Sequence, residues 1–458
     1  MSERPDWVRD AVFYQIFPDR FCNGDRRNDP PGVVDWHAAP SYDNFFGGDL
    51  AGITSKLPHL ERLGANALYL TPIFAAGTNH RYDTHDYRQI DHALGDVGAL
   101  RELVAEAHTR GIRVLLDGVF NHVGDGFWAF RDLVQRGEES PYRDWFYSSA
   151  LPLEPEPPNY QTCGGTHYLP KLRTTNPDVA AHIYEIAVRW IEEADIDGWR
   201  LDVPWKIPLD FWREFRSRVK QARPDAYLLG EAWWSWGQMR DVFDGLMNYR
   251  LRARILDFCV FDTQDAEDFA IEVALMLRES DGGEFMLSLL GSHDTPRILT
   301  VTGGDEAKAR LAYIAMMTLP GTPLVYYGDE VGMLGGEDPD CRRTMNWDES
   351  GWNDDLFRFV QLLIALRRDH AALRRGRLEL HQSFNRVLVF SRETEADAVV
   401  VVLNPGPGRS GYSVELPDHL DGAYADAFSG GRFEARDGRL PIDRLEGRSG
   451  LVLVQEKR

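Results

Sequence analysis

Eight short apolar segments, mostly separated by amphipathic helical stretches, constrain this 458-residue chain more than any other feature. They lie near Val12–Phe17, Ala67–Leu70, Arg113–Asp117, Gly198–Asp202, Tyr227–Gly230, Gly245–Met247, Met286–Leu290 and Leu324–Tyr327. Between two of them, Asp96 to Arg110 puts Leu100, Leu103, Val104 and Ala107 on one helical face, and Gly111 stops the turn. Asn176-Pro177-Asp178 opens another helix with a capping side chain and a proline in its first turn. Ile183, Ile186, Ala187, Trp190 and Ile191 form its apolar stripe. Eight strands alternating with helices predict a closed parallel (β/α)8 TIM barrel rather than an open sheet.

Two regions break the rhythm. Residues 123–171 are Pro-rich and aromatic with little periodicity, and a structureless loop of that length is uncommon in a compact domain. A subdomain inserted after the third strand is expected there. From residue 373 to 458, strands follow one another across Gly and Pro turns: Val387–Ser391, Ala398–Leu403, Tyr412–Leu416 and Leu451–Gln455. That pattern predicts a C-terminal antiparallel β-sandwich. The barrel itself is expected to comprise residues 1–122 and 172–372.

The formal charge of −21 argues against a nucleic-acid partner, since phosphates require Lys and Arg. No basic start precedes an apolar run, and no apolar stretch is long enough to span a bilayer, so neither a signal peptide nor a membrane partner is expected. Cys22, Cys163, Cys259 and Cys341 lack metal-ligand spacing; free thiols in a reducing cytoplasm are the economical reading. With 13 Trp, 17 Tyr and 23 Phe the chain fills a large core, but aromatic planes near carboxylates also suit sugar rings.

Polar residues just past the carboxyl ends of barrel strands form the active face of such a fold. Four stretches place carboxylates there: Asp117-Gly118-Val119-Phe120-Asn121-His122, Gly198-Trp199-Arg200-Leu201-Asp202, Leu229-Gly230-Glu231-Ala232-Trp233 and Leu290-Gly291-Ser292-His293-Asp294. One carboxylate at a strand end is unremarkable and an Arg200–Asp202 pair alone reads as an ordinary barrel salt bridge. Several on one face, with His and Arg among them, point to acid/base or nucleophilic chemistry. His85, His122 and His293 raise a zinc site as a rival, but no His-Glu-x-x-His helix motif supports it.

In order and position these four stretches resemble the signature segments of the α-amylase superfamily, and the resemblance runs over nearly the whole chain. It implies a glycoside hydrolase with Asp202 as nucleophile, Glu231 as general acid/base and Asp294 as the third, transition-state-stabilising carboxylate, all three meeting at one anomeric centre. Arg200, two residues before Asp202, falls on the same strand face and is expected to keep Asp202 ionised. Neighbouring carboxylates and partial burial are expected to raise the pKa of Glu231. The resemblance further assigns His122 and His293 to sugar hydroxyls, Tyr82 to stacking and Asp83 to hydroxyl binding. It gives Trp233 a ligand contact and Asp117 a supporting role beneath Arg200. Trp234 and Trp236 stay open as sugar platforms or loop packing.

Near the N-terminus, Asn23-Gly24-Asp25-Arg26-Arg27-Asn28-Asp29 and Gly47-Gly48-Asp49 cluster oxygens suited to a hard cation, although such runs are often plain turns. They resemble the calcium loop of the neopullulanase/cyclomaltodextrinase/maltogenic amylase group, which implies a structural Ca2+ on Asn23, Asp25, Asn28, Asp29, Asp49 and the Gly47 carbonyl, and no organic cofactor. Tyr168-Leu169-Pro170-Lys171-Leu172 resembles another motif of that group. Arg173 stands where Asn is more usual, and Pro204-Trp205-Lys206 replaces the usual Asn-Glu pair, which leaves the α-1,4 versus α-1,6 preference open. The first strand begins near Val12, without room for the group's N-terminal domain, so its cyclodextrin specificity and domain-swapped dimer are not carried over. The expectation is a cytoplasmic retaining hydrolase of malto-oligosaccharides and related α-glucans, of undetermined oligomeric state. An α-glucosidase or transglycosylase with the same residues, and a noncatalytic carbohydrate-binding relative, are the alternatives.

Overall fold

The computed structural model describes residues 4–233, 237–384 and 386–456. The chain divides into two compact units, the first holding residues 13–247 and 338–345 and the second residues 7–12, 248–337 and 346–458. Eight short parallel strands alternate with the helices, six of them in the first unit and two in the second. These are β1 (Phe13–Ile16), β2 (Ala67–Leu70), β3 (Arg113–Gly118), β4 (Gly198–Leu201), β5 (Tyr227–Gly230), β6 (Gly245–Leu246), β7 (Leu287–Leu289) and β8 (Thr322–Tyr326). All eight segments expected from the sequence are strands, the set that a (β/α)8 barrel requires.

Within the first unit, neighbours pair in parallel from β1 through β6. Almost every strand residue is buried, as expected when helices cover one face and barrel side chains fill the other. The register brings charged partners side by side: Asp117 on β3 stands directly opposite Arg200 on β4, and Arg200 opposite Leu229 on β5.

The helices start where their caps predict. Asp49 caps α1 (Leu50–Leu63) by accepting the Gly52 N–H, and Gly64 ends it at φ +94°. Asp96 caps α2 (Val97–Thr109) through the Ala99 N–H. The 123–171 insertion contains a helix that its weak periodicity did not announce, α3 (Trp128–Arg136), which buries Ala129, Phe130 and Leu133. Trp128 packs edge-on against Tyr142 and Trp145, so aromatic contacts rather than a long apolar stripe hold this region. Asn176 caps α4 (Pro177–Ala194), whose expected stripe is buried. Trp190 on that stripe donates its indole N–H to the Tyr87 carbonyl at 2.9 Å.

In the second unit, β7 and β8 pair in parallel. Six C-terminal strands form an antiparallel sheet, and strands Arg409–Glu415 and Arg439–Leu445 form a two-stranded one. Val389, Val400 and Val402 of the larger sheet share a core with Val414, Leu440 and Ile442 of the smaller, the two-layer packing of a sandwich. Four strands here escaped the sequence pattern: Arg377–Phe384, Gly422–Asp426, Arg432–Ala435 and Arg439–Leu445. Each is only partly buried, so its apolar signal is diluted.

Just past β8, the buried Arg297 guanidinium lies 2.8 Å from Asp329 and stacks on Tyr326 and Tyr327. Burial pushes the Asp329 carboxyl up to about 6, only partly opposed by Arg297. The folded state therefore binds a proton here that the unfolded chain, near 3.8, has already lost. Stability from this site is full below pH 4 and falls as pH rises through 6. Relative to Asp329→Asn, the wild type should lose on the order of 2–3 kcal/mol between pH 4 and 7 in urea unfolding. Parallel pH profiles for the two proteins would remove this assignment.

Candidate active site

Arg200 is the hub of the first unit's polar interior. The strand register sets it opposite Asp117, and its Nη1 reaches both Asp117 oxygens at 2.9 Å. The same nitrogen donates to Asp202 Oδ1 at 2.9 Å, while Nη2 lies 3.2 Å from Glu231 Oε2. All four residues are at most 6% exposed. Burial alone lowers the guanidinium's pKa, but Asp117 and its other partners outweigh that and hold Arg200 well above its usual range. One permanent cation thus serves three carboxylates.

Asp117 is anchored from below. Tyr69 on β2 donates to its Oδ2 at 2.6 Å and Tyr82 donates to the same oxygen at 3.0 Å. The expected support role of Asp117 is what this geometry contains. Tyr69 was not anticipated; its one signal is a hydroxyl within an otherwise apolar strand, Ala67-Leu68-Tyr69-Leu70. Tyr82, expected as a stacking residue, also uses its hydroxyl structurally.

Asp202 and Glu231 each sit one residue beyond a strand, and their backbone N–H groups donate to the Gly118 and Leu201 carbonyls. Immediately after Asp202, Val203 adopts φ +43°, ψ +45°. A β-branched residue resists this left-handed conformation, and the turn nevertheless aims the Val203 N–H at Glu231 Oε2, 3.0 Å away. The other oxygen, Oε1, accepts from Trp233 Nε1 at 2.7 Å. Nothing in the sequence signals Val203, because its role rests on backbone geometry. Trp234 and Trp236 lie outside the described residues.

Two further predicted residues belong to the loops of this unit. His122 is buried, bonded to Tyr82 backbone, and burial lowers its pKa to about 4, which keeps the imidazole neutral near pH 7. Asp83 is 3% exposed; its Oδ2 accepts the Gly77 N–H at 2.9 Å and Oδ1 accepts from the Thr78 hydroxyl. These bonds make Asp83 the clamp of the loop that carries Tyr82. In the second unit, Asp294 follows β7 and its carboxylate lies 3.2 Å from His293 Nε2. Ser292 Oγ accepts the Asp294 N–H at 3.2 Å, and His293 is fully buried.

The loop expected to hold calcium is a separate feature of the first unit. Asn23 Oδ1 and Asn28 Oδ1 are buried and have no hydrogen-bond partner, which is how side-chain ligands await a cation. Asp29 Oδ1 lies 2.6 Å from Asn23 Nδ2, and a Cβ on Gly47 would fall 2.4 Å from that Asp29 oxygen, so the backbone at 47 approaches them closely. These four residues fit a hard cation. Asp25 instead makes a two-pronged pair with Arg27, and Asp49 accepts from the N–H groups of Gly24, Asp25 and Gly52.

The hub makes a direct prediction. Arg200→Leu strands three buried carboxylates and should cost about 3–5 kcal/mol in denaturant unfolding, with Arg200→Lys intermediate. A leucine variant as stable as the wild type would show that the carboxylates do not depend on the guanidinium.

Comparison with known proteins shows the family. The alpha amylase catalytic-domain model matches residues 15–376. A cyclomaltodextrinase from a Bacillus species is 49% identical over 87% of this chain and 73% of its own length. Neopullulanase 2 of Thermoactinomyces vulgaris is 44% identical over 98% of this chain and 78% of its own. The solved cyclic α-maltosyl-(1→6)-maltose hydrolase of Arthrobacter globiformis, in complex with that cyclic sugar, superposes with a TM-score of 0.90 at 42% identity, covering 99% of this chain and 100% of that one. The chain belongs to the alpha-amylase family and is a glycoside hydrolase of α-glucosidic bonds.

Proposed function

We propose that this enzyme cleaves α-1,4 bonds, and also α-1,6 bonds, in malto-oligosaccharides and related short α-glucans by a double-displacement mechanism. The observation that carries the reading is Asp202 and Glu231 held on two nitrogens of one buried guanidinium. Asp202, ionised beside Arg200, attacks the anomeric carbon as Glu231 gives its proton to the departing glycosidic oxygen. The glycosidic bond breaks and a glucosyl ester forms on Asp202. Glu231 then takes a proton from water, whose oxygen attacks the same carbon and frees the ester. Asp294, from the family's fourth stretch, is assigned to the oxocarbenium-like transition state. Neutral His122 is suited to a hydrogen bond with a sugar hydroxyl, as is His293; Trp233 and Tyr82 supply aromatic faces.

The relatives' names support the substrate class, from cyclomaltodextrinase to a hydrolase of an α-1,6-containing cyclic tetrasaccharide. No helix among the described residues is long and apolar enough to cross a membrane, and a Bacillus subtilis relative at 41% identity is named an intracellular maltogenic amylase. A cytoplasmic site of action is part of the proposal. So is a structural Ca2+ on Asn23, Asp25, Asn28, Asp29, Asp49 and the Gly47 carbonyl, the carboxylates keeping lone pairs for it beside their present hydrogen bonds.

Asp202→Asn should lower kcat/KM on maltotriose at least about 10³-fold while leaving the circular dichroism spectrum intact. Substantial surviving turnover would overturn the assignment. Wild-type products should be maltose and glucose; long-lived larger saccharides would favour a transglycosylase. EDTA should lower the melting temperature by several degrees and CaCl2 restore it. Unchanged melting, with no calcium by elemental analysis, would contradict the metal site.

A further inference from the structure

Far along the chain from the catalytic carboxylates, the C-terminal sheet of the second unit gathers two histidines and two glutamates that no step of hydrolysis uses. Glu379 and His381 alternate on the strand Arg377–Phe384, which is the edge of the six-stranded sheet. Residues two apart share a face of a strand. Ser391 stands opposite Glu379 on the neighbouring strand Val387–Glu393, and Glu393 lies two residues beyond it on that same face. The register slips between Leu380 and Gln382, so the ladder is broken at His381. Such a bulge re-aims a side chain relative to a regular ladder.

The consequence is convergence. One ligand atom from each of Glu379, His381 and Glu393 lies within 4.8 Å of the others. A short helical turn, Asp418–Leu420, adds His419, whose Nε2 is 2.8 Å from Glu393 Oε2. His381 Nε2 is 2.8 Å from Ser391 Oγ, and the Ser391 hydroxyl donates to Glu393. Arg377 pairs with Glu379 from the same strand, but its side chain is 71% exposed and can swing into water.

We propose that Glu379, His381 and Glu393, with His419 as a fourth ligand, form a site for a divalent transition metal of the Zn2+ class that clips the edge strand to the 418–420 turn. Two imidazoles with carboxylates suit Zn2+, Co2+ or Ni2+, whereas Ca2+ and Mg2+ prefer all-oxygen sets. Ser391 serves as the outer hydrogen-bond donor that orients a ligating carboxylate.

The test is calorimetric titration of ZnCl2 into the intact, chelator-dialysed enzyme with excess CaCl2 present, so that the N-terminal loop does not compete. One equivalent should bind, the melting temperature should rise, and Co2+ in its place should give the visible absorption of a mixed nitrogen–oxygen site. His381→Gln, which keeps volume and polarity, should weaken Zn2+ binding at least about 100-fold, since losing even an outer partner costs 10–100-fold. Glu393→Gln should do the same, and both variants should still hydrolyse maltotriose at the wild-type rate, which reports that they fold. No stoichiometric binding by the wild type, several weak equivalent sites, or unaltered affinity in His381→Gln would each overturn the proposal.

Discussion

A single buried guanidinium organises the polar interior of the first unit. Arg200 is fully buried, so its charge must be met by carboxylates, and the strand ends supply three. Conversely, Asp117, Asp202 and Glu231 can be packed together only because a permanent cation lies among them. Catalysis by two carboxylates needs them close, and closeness is costly without such a partner. The parallel register that sets Asp117 opposite Arg200 is therefore as much a part of the site as the side chains.

The same logic extends outward by hydrogen bonds rather than charge. Tyr69 and Tyr82 fix Asp117 and so limit where Arg200 can point. Asp83 clamps the loop bearing Tyr82, and Val203, held in a disfavoured backbone conformation, lends its N–H to Glu231. Strain at a residue directly after the proposed nucleophile is where the surrounding packing most needs to overrule local preference. The strands β4 and β5 offset it, being short, buried and hydrogen-bonded on both sides.

How much could be read from sequence depends on how each signal arises. Buried parallel strands are continuous apolar runs, so all eight were legible, down to the two-residue strand Gly245–Leu246. The carboxylates were legible because they terminate those runs. Half-exposed strands such as Arg432–Ala435 carry no clean alternation, and α3 is held by tryptophans and tyrosines that contact one another across the insertion rather than along one helix face. Tyr69 hid inside an apolar strand, and Val203 contributes only backbone. Asp83 was legible as a polar residue near the site, but its bonds to Gly77 and Thr78 depend on a loop conformation that composition does not encode. The C-terminal His and Glu residues are dispersed along the sequence and gain meaning only when strand pairing brings them onto one face.

The central claim is that Asp202 attacks the sugar directly, with Glu231 serving first as acid and then as base. The anomeric configuration at the reducing end newly formed from maltotriose, followed by proton NMR before mutarotation, tests this most directly. Two successive displacements at one carbon predict the α-anomer at the newly formed reducing end. First-formed β-anomer would mean that water attacks in a single step, and would contradict the account.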